Sequence, residues 1–491
     1  MGKSFAILHI SDLHRSIIDP ISNDELISAL VSDRDRYIRE DPKIPAPEAI
    51  IISGDIIQGV PLGTPDYEAE LIKQYAVAEE FLDELGRRFV SGDRSKIIII
   101  PGNHDVDWNT AFSSMGEIDI KDLPANLGSL LFSETSLYRW DWKTRTAYRI
   151  IDKDLYSKRL DVFWRFFERF YAGVGGLLKV DAFSDSNLFS LHEGKIGVAA
   201  FNSCEGNDCF AFHGMIRKEV IARSHLELQD LGVFDLRIAV WHHNIEGGPY
   251  RTDYMDIDTV RGMIGRGFRL GLYGHQHKVQ VVPHQIWLPD MERMAVVSAG
   301  SLCAGKNDLP TGITRQYNIL ELAEDLRSVK VHVREMSVSN LFSRGRFMEL
   351  GGSSFVELNW EPGKNSVGAQ DNITLLRNQS IIINGEQAVK SGNYSLAKSL
   401  LEKIDLSPNS YERGLYLDAL MKMKDWKAII EITKTPSSID ELYKRVDAFI
   451  ETDNFSAASK SIEAFSEMLN LPESDKVSLK QRIYILNQMK L

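Results

Sequence analysis

Cysteine is scarce in this chain: Cys204, Cys209 and Cys303 are the only three in 491 residues. None forms a CxxC pair and three are too few for a disulfide framework, so a reducing cytoplasm is the expected location. Long apolar runs are missing too. No stretch reaches the roughly 18 residues that a spanning helix needs, and no membrane partner is expected. The start, MGKSFAILHISDLH, passes from a short apolar run straight into polar residues, unlike a signal peptide, and Ala6 stands where a myristoylation signal needs Ser or Thr. Positive charge is in deficit. With 57 Lys and Arg against 69 Asp and Glu the formal charge is -12, which argues against a protein that coats nucleic acid or an anionic membrane with its whole surface.

What is present is ample apolar material, enough in a chain this long for two or three compact units. Residues 97–109 read IIIIPGNHDVDWN. Four β-branched residues bounded by Pro101 and Gly102 read as a strand buried on both faces. The same grammar recurs: AILHI then SDLH at 6–14, AIIIS then GD at 49–55, RIAVW then HHN at 237–244, and FRLGLY then GHQH at 268–277. In layered α/β folds the carboxyl ends of strands share one edge, so these loops are expected to converge. Asp12 and His14, like His275 and His277, are two residues apart, a spacing that in extended chain points both side chains the same way. Gly54, Gly102 and Gly274 each precede a polar residue, where a missing Cβ allows close backbone approach.

Carboxylate, imidazole and amide without thiolate suit divalent transition ions such as manganese, iron or zinc better than calcium. There are more candidate ligands than one centre needs, so two ions are expected. Ions roughly 3.5–4 Å apart can clamp a phosphoryl group and lower the pKa of a shared water.

The ordered series Asp12-x-His14, Gly54-Asp55, Gly102-Asn103-His104-Asp105, His242 and Gly274-His275-x-His277 resembles the calcineurin-like metallophosphoesterases over about residues 1–340. The resemblance implies an α/β core, a four-layer αββα sandwich with a dinuclear centre at one edge. It implies that Asp12, His14 and His277 hold one ion, Asn103, His242 and His275 the other, and that Asp55 bridges them. It gives His104 the role of general acid, with Asp105 orienting its ring. Many relatives continue the fourth block as His-His-Pro, whereas this chain has His242-His243-Asn244, so that two histidines compete for one ligand position; His242 is preferred. The run GDIIQG lacks the Asp-Arg-Gly element of the family's protein phosphatases, which disfavours a phosphoprotein substrate. GHQHKVQ somewhat resembles the final block of the family's double-strand-break repair nucleases.

A long insertion, about 107–190, is expected to be a helical cap. Residues 138–171 hold nine Lys or Arg against five Asp or Glu, with eleven aromatics. Phe163, Phe166, Phe167 and Phe170 recur at helical spacing and are expected to form the cap's own core. Arg139, Lys143, Arg145 and Arg149 are candidates for substrate contact. After a connecting segment at 341–370, which includes most of the turn-rich NWEPGKNSVGAQDN at 359–372, the pattern is helical from 371 to 491. Tyr394, Trp426 and Phe455 follow small polar turns at spacings of 32 and 29 residues. They suggest helical hairpins resembling tetratricopeptide-type arrays, an all-α unit able to bind a protein partner. Its 16 basic and 17 acidic residues offer no nucleic-acid footprint.

Two function classes follow. One is a phosphoesterase that cleaves phosphodiester bonds, of a nucleotide or a nucleic acid, with phosphomonoesters as the alternative. The other is an interaction scaffold that uses the helical repeats. The intact motif set favours catalysis.

Overall fold

In the computed structural model, residues 4–360 and 381–490 are described apart from 20, 132–135, 246–252, 282–285, 288–292, 306–308, 310–312, 338, 347–352, 383, 387, 390–391, 409, 470 and 472. Most of the turn-rich stretch at 359–372 lies outside the described residues. The chain divides into two compact units, with the main division between Gly363 and Lys364.

The first unit is built on two seven-stranded sheets. The first sheet contains β1 (Phe5–Ile10), β2 (Ala49–Ile52), β3 (Ile97–Ile99), β14 (Gln316–Leu322), β15 (Ser328–Met336), β16 (Phe342–Arg344) and β17 (Phe355–Asn359). Its order is β16-β15-β14-β1-β2-β3, with β17 also on β15; β1, β2 and β3 are parallel and β14 is antiparallel to β1. The second sheet contains β7 (Ser186–Leu191), β8 (Ile196–Phe201), β9 (Leu236–Val240), β10 (Leu270–Tyr273), β11 (Gln280–Val281), β12 (Ile286–Trp287) and β13 (Arg293–Ser298). Its order is β11-β13-β10-β9-β8-β7, with β12 also on β13, and β8, β9, β10 and β13 run parallel.

Side-chain alternation shows how the layers form. In the second sheet Val198, Ile238, Val240 and Leu272 enter the main core, which they share with Ile7, Ile50 and Ile98 of the first sheet. Their neighbours Ala199, Ala239 and Tyr273 face the other way, against Val220 and Leu228 of helix Lys218–Leu231 and Met263 of helix Ile257–Ile264. Helices Asn23–Arg34, Tyr67–Phe89 and Asp161–Tyr171 add Leu26, Phe81 and Phe166 to the main core. The result is the αββα sandwich. The parallel strands are buried on both faces, which is why they read as unbroken apolar runs.

The insertion is not the helical cap expected. It carries a third sheet of β4 (Met115–Ile118), β5 (Tyr138–Asp141) and β6 (Thr146–Ile150), in the order β4-β6-β5. The Asp141 carboxylate accepts from Lys143 N at 2.8 Å and Thr144 Oγ1 at 2.8 Å, closing the β5–β6 turn. Only Asp161–Tyr171 among the aromatic segments is a long helix, and Phe163, Phe166, Phe167 and Phe170 join the main core instead of making their own. Tyr75 stacks on Phe166 with ring centroids 5.0 Å apart.

The second unit contains helices Tyr394–Leu401, Tyr411–Met423, Trp426–Ile432, Ile439–Glu451, Phe455–Phe465 and Glu473–Lys490. One corner recurs three times. Gly392, Lys424 and Asp453 are left-handed (φ 75°, 56° and 61°), and each is followed by a capping Asn393, Asp425 or Asn454 and then by the aromatic residue. Each cap side chain accepts the backbone N–H three residues on, from Leu396, Ala428 and Ala457.

Candidate metal centre

The loops leaving β1, β2, β3, β9 and β10 meet at one edge. Asp12 N donates to Gly54 O at 3.1 Å and His14 N to Asp55 O at 3.0 Å. His104 N donates to Asp55 Oδ1 at 2.8 Å, and His275 N to Asp12 Oδ2 at 3.1 Å. The glycines let these backbones approach. A Cβ on Gly102 would overlap the Asp55 carboxylate and backbone nitrogen, and one on Gly54, at φ 99°, would overlap the His242 ring.

One group consists of Asp12, His14, Asp55 and His277, whose donor atoms all lie within 4.8 Å of one another. His14 Nε2 is 3.1 Å from His277 Nε2, which is 3.2 Å from Asp12 Oδ1. A second group surrounds Asn103 Oδ1, which lies 2.8 Å from His242 Nε2 and 2.9 Å from His275 Nδ1. Asp55 Oδ2 stands between them, 3.8 Å from His14 Nε2 and 3.3 Å from His242 Nε2.

The extended geometry expected for the two His and Asp pairs is not what delivers these side chains. Asp12, His14, Asp55, His275 and His277 all have positive φ, at 52°, 45°, 52°, 71° and 54°. Each left-handed non-glycine residue costs on the order of 1–3 kcal/mol, strain that clusters where a function needs it. Sharp turns after the strands, not the pleat, aim these side chains inward.

The donor set fits divalent cations. Asp12 Oδ1 is buried and accepts no well-aligned hydrogen bond within the described residues. Burial works most strongly against the Asp12 charge, but His277 and His242 together outweigh it and bring the carboxyl to about 2. Burial, helped by neighbouring His104, lowers His14 to about 3, and burial with His242 lowers His275 to about 4, so both are the neutral imidazoles that ligation requires. Burial would lower His242 as well; the Asp55 carboxylate reverses this and pushes it up to about 9. The space between Asp55 and His242 therefore favours positive charge.

His242 Nδ1 donates to Ser53 O at 2.8 Å, which leaves Nε2 turned toward Asn103 and Asp55. His243 faces elsewhere: Nδ1 lies 2.9 Å from Ser203 Oγ and Nε2 takes Asn207 Nδ2 at 3.1 Å. His242 thus faces the centre, and His243 is held from behind.

His104 stands beside His14, with ring centroids 4.5 Å apart and the rings edge-to-face. The expectation that Asp105 orients its ring is corrected. Asp105 Oδ2 accepts from Gly102 N at 2.8 Å and Ile56 N at 3.1 Å, and Oδ1 accepts from Tyr75 OH at 2.8 Å. Asp105 ties two site loops together. His104 Nδ1 instead meets the backbone carbonyl of Gln58 at 2.7 Å.

Arg139 is also corrected. It is buried, with Nε 2.5 Å from Asp208 Oδ2, so it has no guanidinium to offer a substrate. Lys143, Arg145 and Arg149 are exposed on or beside the β5–β6 hairpin. Gln58, Tyr75, Ser53, Ser203 and Asn207 were not legible as site residues. Two of these act through backbone carbonyls, which carry no side-chain signature.

A family model of the calcineurin-like phosphoesterases matches residues 5–279, more than half of the chain and all of the loops just described. The chain belongs to this family. No curated protein matches it in sequence. Among solved structures it is similar to PhoD (9% identity, TM-score 0.38, covering 79% of this chain and 78% of that one). It is similar to calcineurin-like phosphoesterase YfkN from Bacillus subtilis (12% identity, TM-score 0.28, covering 82% and 99%). It is also similar to GAP50, described as the anchor in the inner membrane complex of Plasmodium (10% identity, TM-score 0.32, covering 76% and 95%). No described helix is long and apolar enough to cross a membrane.

Proposed function

We propose that the chain is a dinuclear phosphoesterase that hydrolyses phosphodiester bonds of a nucleotide or nucleic acid, with manganese as the preferred ion and iron or zinc as substitutes. The observation that carries this reading is Asp55 Oδ2, placed between a group of Asp12, His14 and His277 and a group of Asn103, His242 and His275. Divalent ions held there supply Lewis acidity and lower the pKa of a water molecule. The protein does the rest. Asp12 and Asp55 bring negative charge into a buried site, and Ser53 O fixes the tautomer of His242. Gln58 O holds the proton on His104 Nδ1, so that Nε2 is the atom able to pass a proton to the departing oxygen. The three repeated corners support a tetratricopeptide-like array in the second unit, which we assign to binding a protein partner.

The test is a substrate panel with manganese: a bis-aryl phosphodiester, an aryl monoester, cyclic nucleotides, and single- and double-stranded DNA and RNA. Cleavage of diesters with elemental analysis near two ions per chain supports the reading. Activity on the monoester alone would overturn the diesterase assignment.

A further inference from the structure

We propose that the outer face of the β5–β6 hairpin is a binding platform for single-stranded nucleic acid. This names the substrate class of the metal centre, and it rests on the phosphodiesterase reading above.

The hairpin divides its residues by strand alternation. Arg139 and Tyr148 point inward, where Arg139 pairs with Asp208 and Tyr148 stacks on Phe210 at 5.2 Å. The inner face also meets helix Trp108–Ser113 through Phe112, 5.4 Å from Tyr148. That helix begins three residues after Asp105, so the hairpin is built onto the chain that leaves the metal centre.

The other face carries Tyr138, Trp140, Ala147 and Arg149; Ala147 and the Trp140 indole nitrogen are buried and Tyr138 is half-buried, so the groups it offers to solvent are Arg149 and, at the adjoining turn, Trp142. Tyr138 is directly opposite Arg149, and the guanidinium lies 5.8 Å from the Tyr138 ring centre. Trp140 meets Trp142 edge-to-face at 6.1 Å, and Trp142 at the turn is 72% exposed. Tyr138 and Trp140 are two residues apart on β5, a step of about 6.7 Å, and Trp142 follows in the turn beyond the end of the strand. An indole left this open to water offers a face on which a base can stack.

Three cations surround these rings, with Asp141 the one carboxylate of the hairpin itself. Lys143, Arg145 and Arg149 make no ion pair among the described residues. The nearby Asp141 carboxylate closes the turn, through Lys143 N and Thr144 Oγ1, and lies close enough for the Lys143 charge to lower its pKa as well. In a chain of net charge -12, these three cations lie together on one hairpin. Arg145 sits in the turn at φ 58°. Unpaired cations beside an exposed aromatic match a strand that offers phosphates and unstacked bases together. A duplex hides its base faces, and an acidic peptide has none.

The experiment uses the full chain, a chelator to prevent cleavage, and a fluorescein-labelled oligothymidylate of about 20 nucleotides, long enough for a single-strand site. Anisotropy titrations across a salt series should show binding with a log–log slope near 2 from these three cations, at about 0.7 per phosphate contact. K143Q/R145Q/R149Q should weaken binding at least about tenfold and lower the slope by about 2. Trp142→Ala should weaken it about five- to tenfold, with Trp142→Phe restoring most of the loss. Melting curves of each variant check the fold. Unchanged binding in both Trp142→Ala and the triple variant overturns the proposal. So does equal competition by polyglutamate or by duplex DNA. Hydrolysis of a bis-aryl diester by the wild-type chain with manganese is read separately. Oligonucleotide binding without hydrolysis upholds the platform and removes the diesterase reading, and hydrolysis without oligonucleotide binding removes the platform alone.

Discussion

His104 Nδ1 lies 2.7 Å from the carbonyl oxygen of Gln58. Because a carbonyl only accepts, the proton on Nδ1 is fixed, and Nε2 becomes the acid. His104→Ala should therefore reduce kcat on substrates with poor leaving groups by about 10²–10⁴. On a nitrophenyl diester, whose leaving group needs little help, the loss should be much smaller, and metal content should stay near the wild-type value. An equal loss on both substrates, or an emptied centre, would show that His104 is a ligand.

His242 gives the centre a defined pH dependence. Burial lowers its pKa, the Asp55 carboxylate raises it, and the outcome is about 9. A histidine raised in the folded state contributes stability that is complete below its ordinary value near 6.5 and is lost as pH rises toward 9. The chelator-treated chain should lose on the order of 2–3 kcal/mol across this window, and His242→Gln should flatten that slope. Manganese competes with the same proton, so its apparent affinity should rise over the same range. Urea unfolding at pH 6.5, 7.5 and 9 measures the first effect; an unchanged slope in His242→Gln would refute the assignment.

Gly102 and Gly54 test how tightly the loops are packed. Gly102 has an ordinary φ of -116°, so only space forbids a side chain there, and that space holds Asp55. Gly54 combines φ 99° with the His242 ring. Either glycine replaced by Ala should displace a ligand and lose metal, with a stability loss of about 2 kcal/mol or more. Elemental analysis with melting curves would check this; full metal content in both variants would mean that the loops yield easily.

Where strand pattern and motif coincided, the sequence carried the site far. Buried runs ending in His, Asp or Asn are legible because parallel strands are apolar on both faces and their ends share an edge. The left-handed turns at Asp12, His14, Asp55, His275 and His277 were not, since a spacing of two reads as extended chain. Nor was the role of Gln58, which acts through its backbone. The hairpin hid for a different reason: interleaved aromatic and basic residues fit a strand or a helix. Arg139 and Arg149 look alike in composition until alternation sends one inward and the other out.

Arg139 and its neighbours should separate accordingly. Arg139→Ala leaves the buried Asp208 charge without its cation, held only by Tyr156 OH and the Phe210 and Ala211 amides, and should cost about 3 kcal/mol. Lys143→Ala, at an exposed site without an ion pair, should change stability by less than about 0.5 kcal/mol. Thermal melts of the two variants decide it; a small effect at Arg139 would mean that the insertion sheet is not held by this pair.

The recurring corner of the helical unit predicts opposite effects at adjacent residues. Lys424 occupies a left-handed position that Gly392 fills in the first corner, and a side chain there costs roughly 1–2 kcal/mol. Glycine relieves that cost but adds chain entropy of about 0.5–1 kcal/mol, so Lys424→Gly should be stabilising by up to about 1 kcal/mol. Asp425 caps helix Trp426–Ile432 by accepting from Ala428 N at 3.3 Å, and it pairs with Lys398 at 2.7 Å. Asp425→Ala removes both contacts, and the lost cap alone should cost about 1 kcal/mol, the half-exposed ion pair adding little. Amide exchange in helix Trp426–Ile432 of the full chain reads both changes. Slower exchange in Lys424→Gly together with faster exchange in Asp425→Ala is the expected pair. Faster exchange in Lys424→Gly would mean that the lysine side chain, and not the turn, holds that corner.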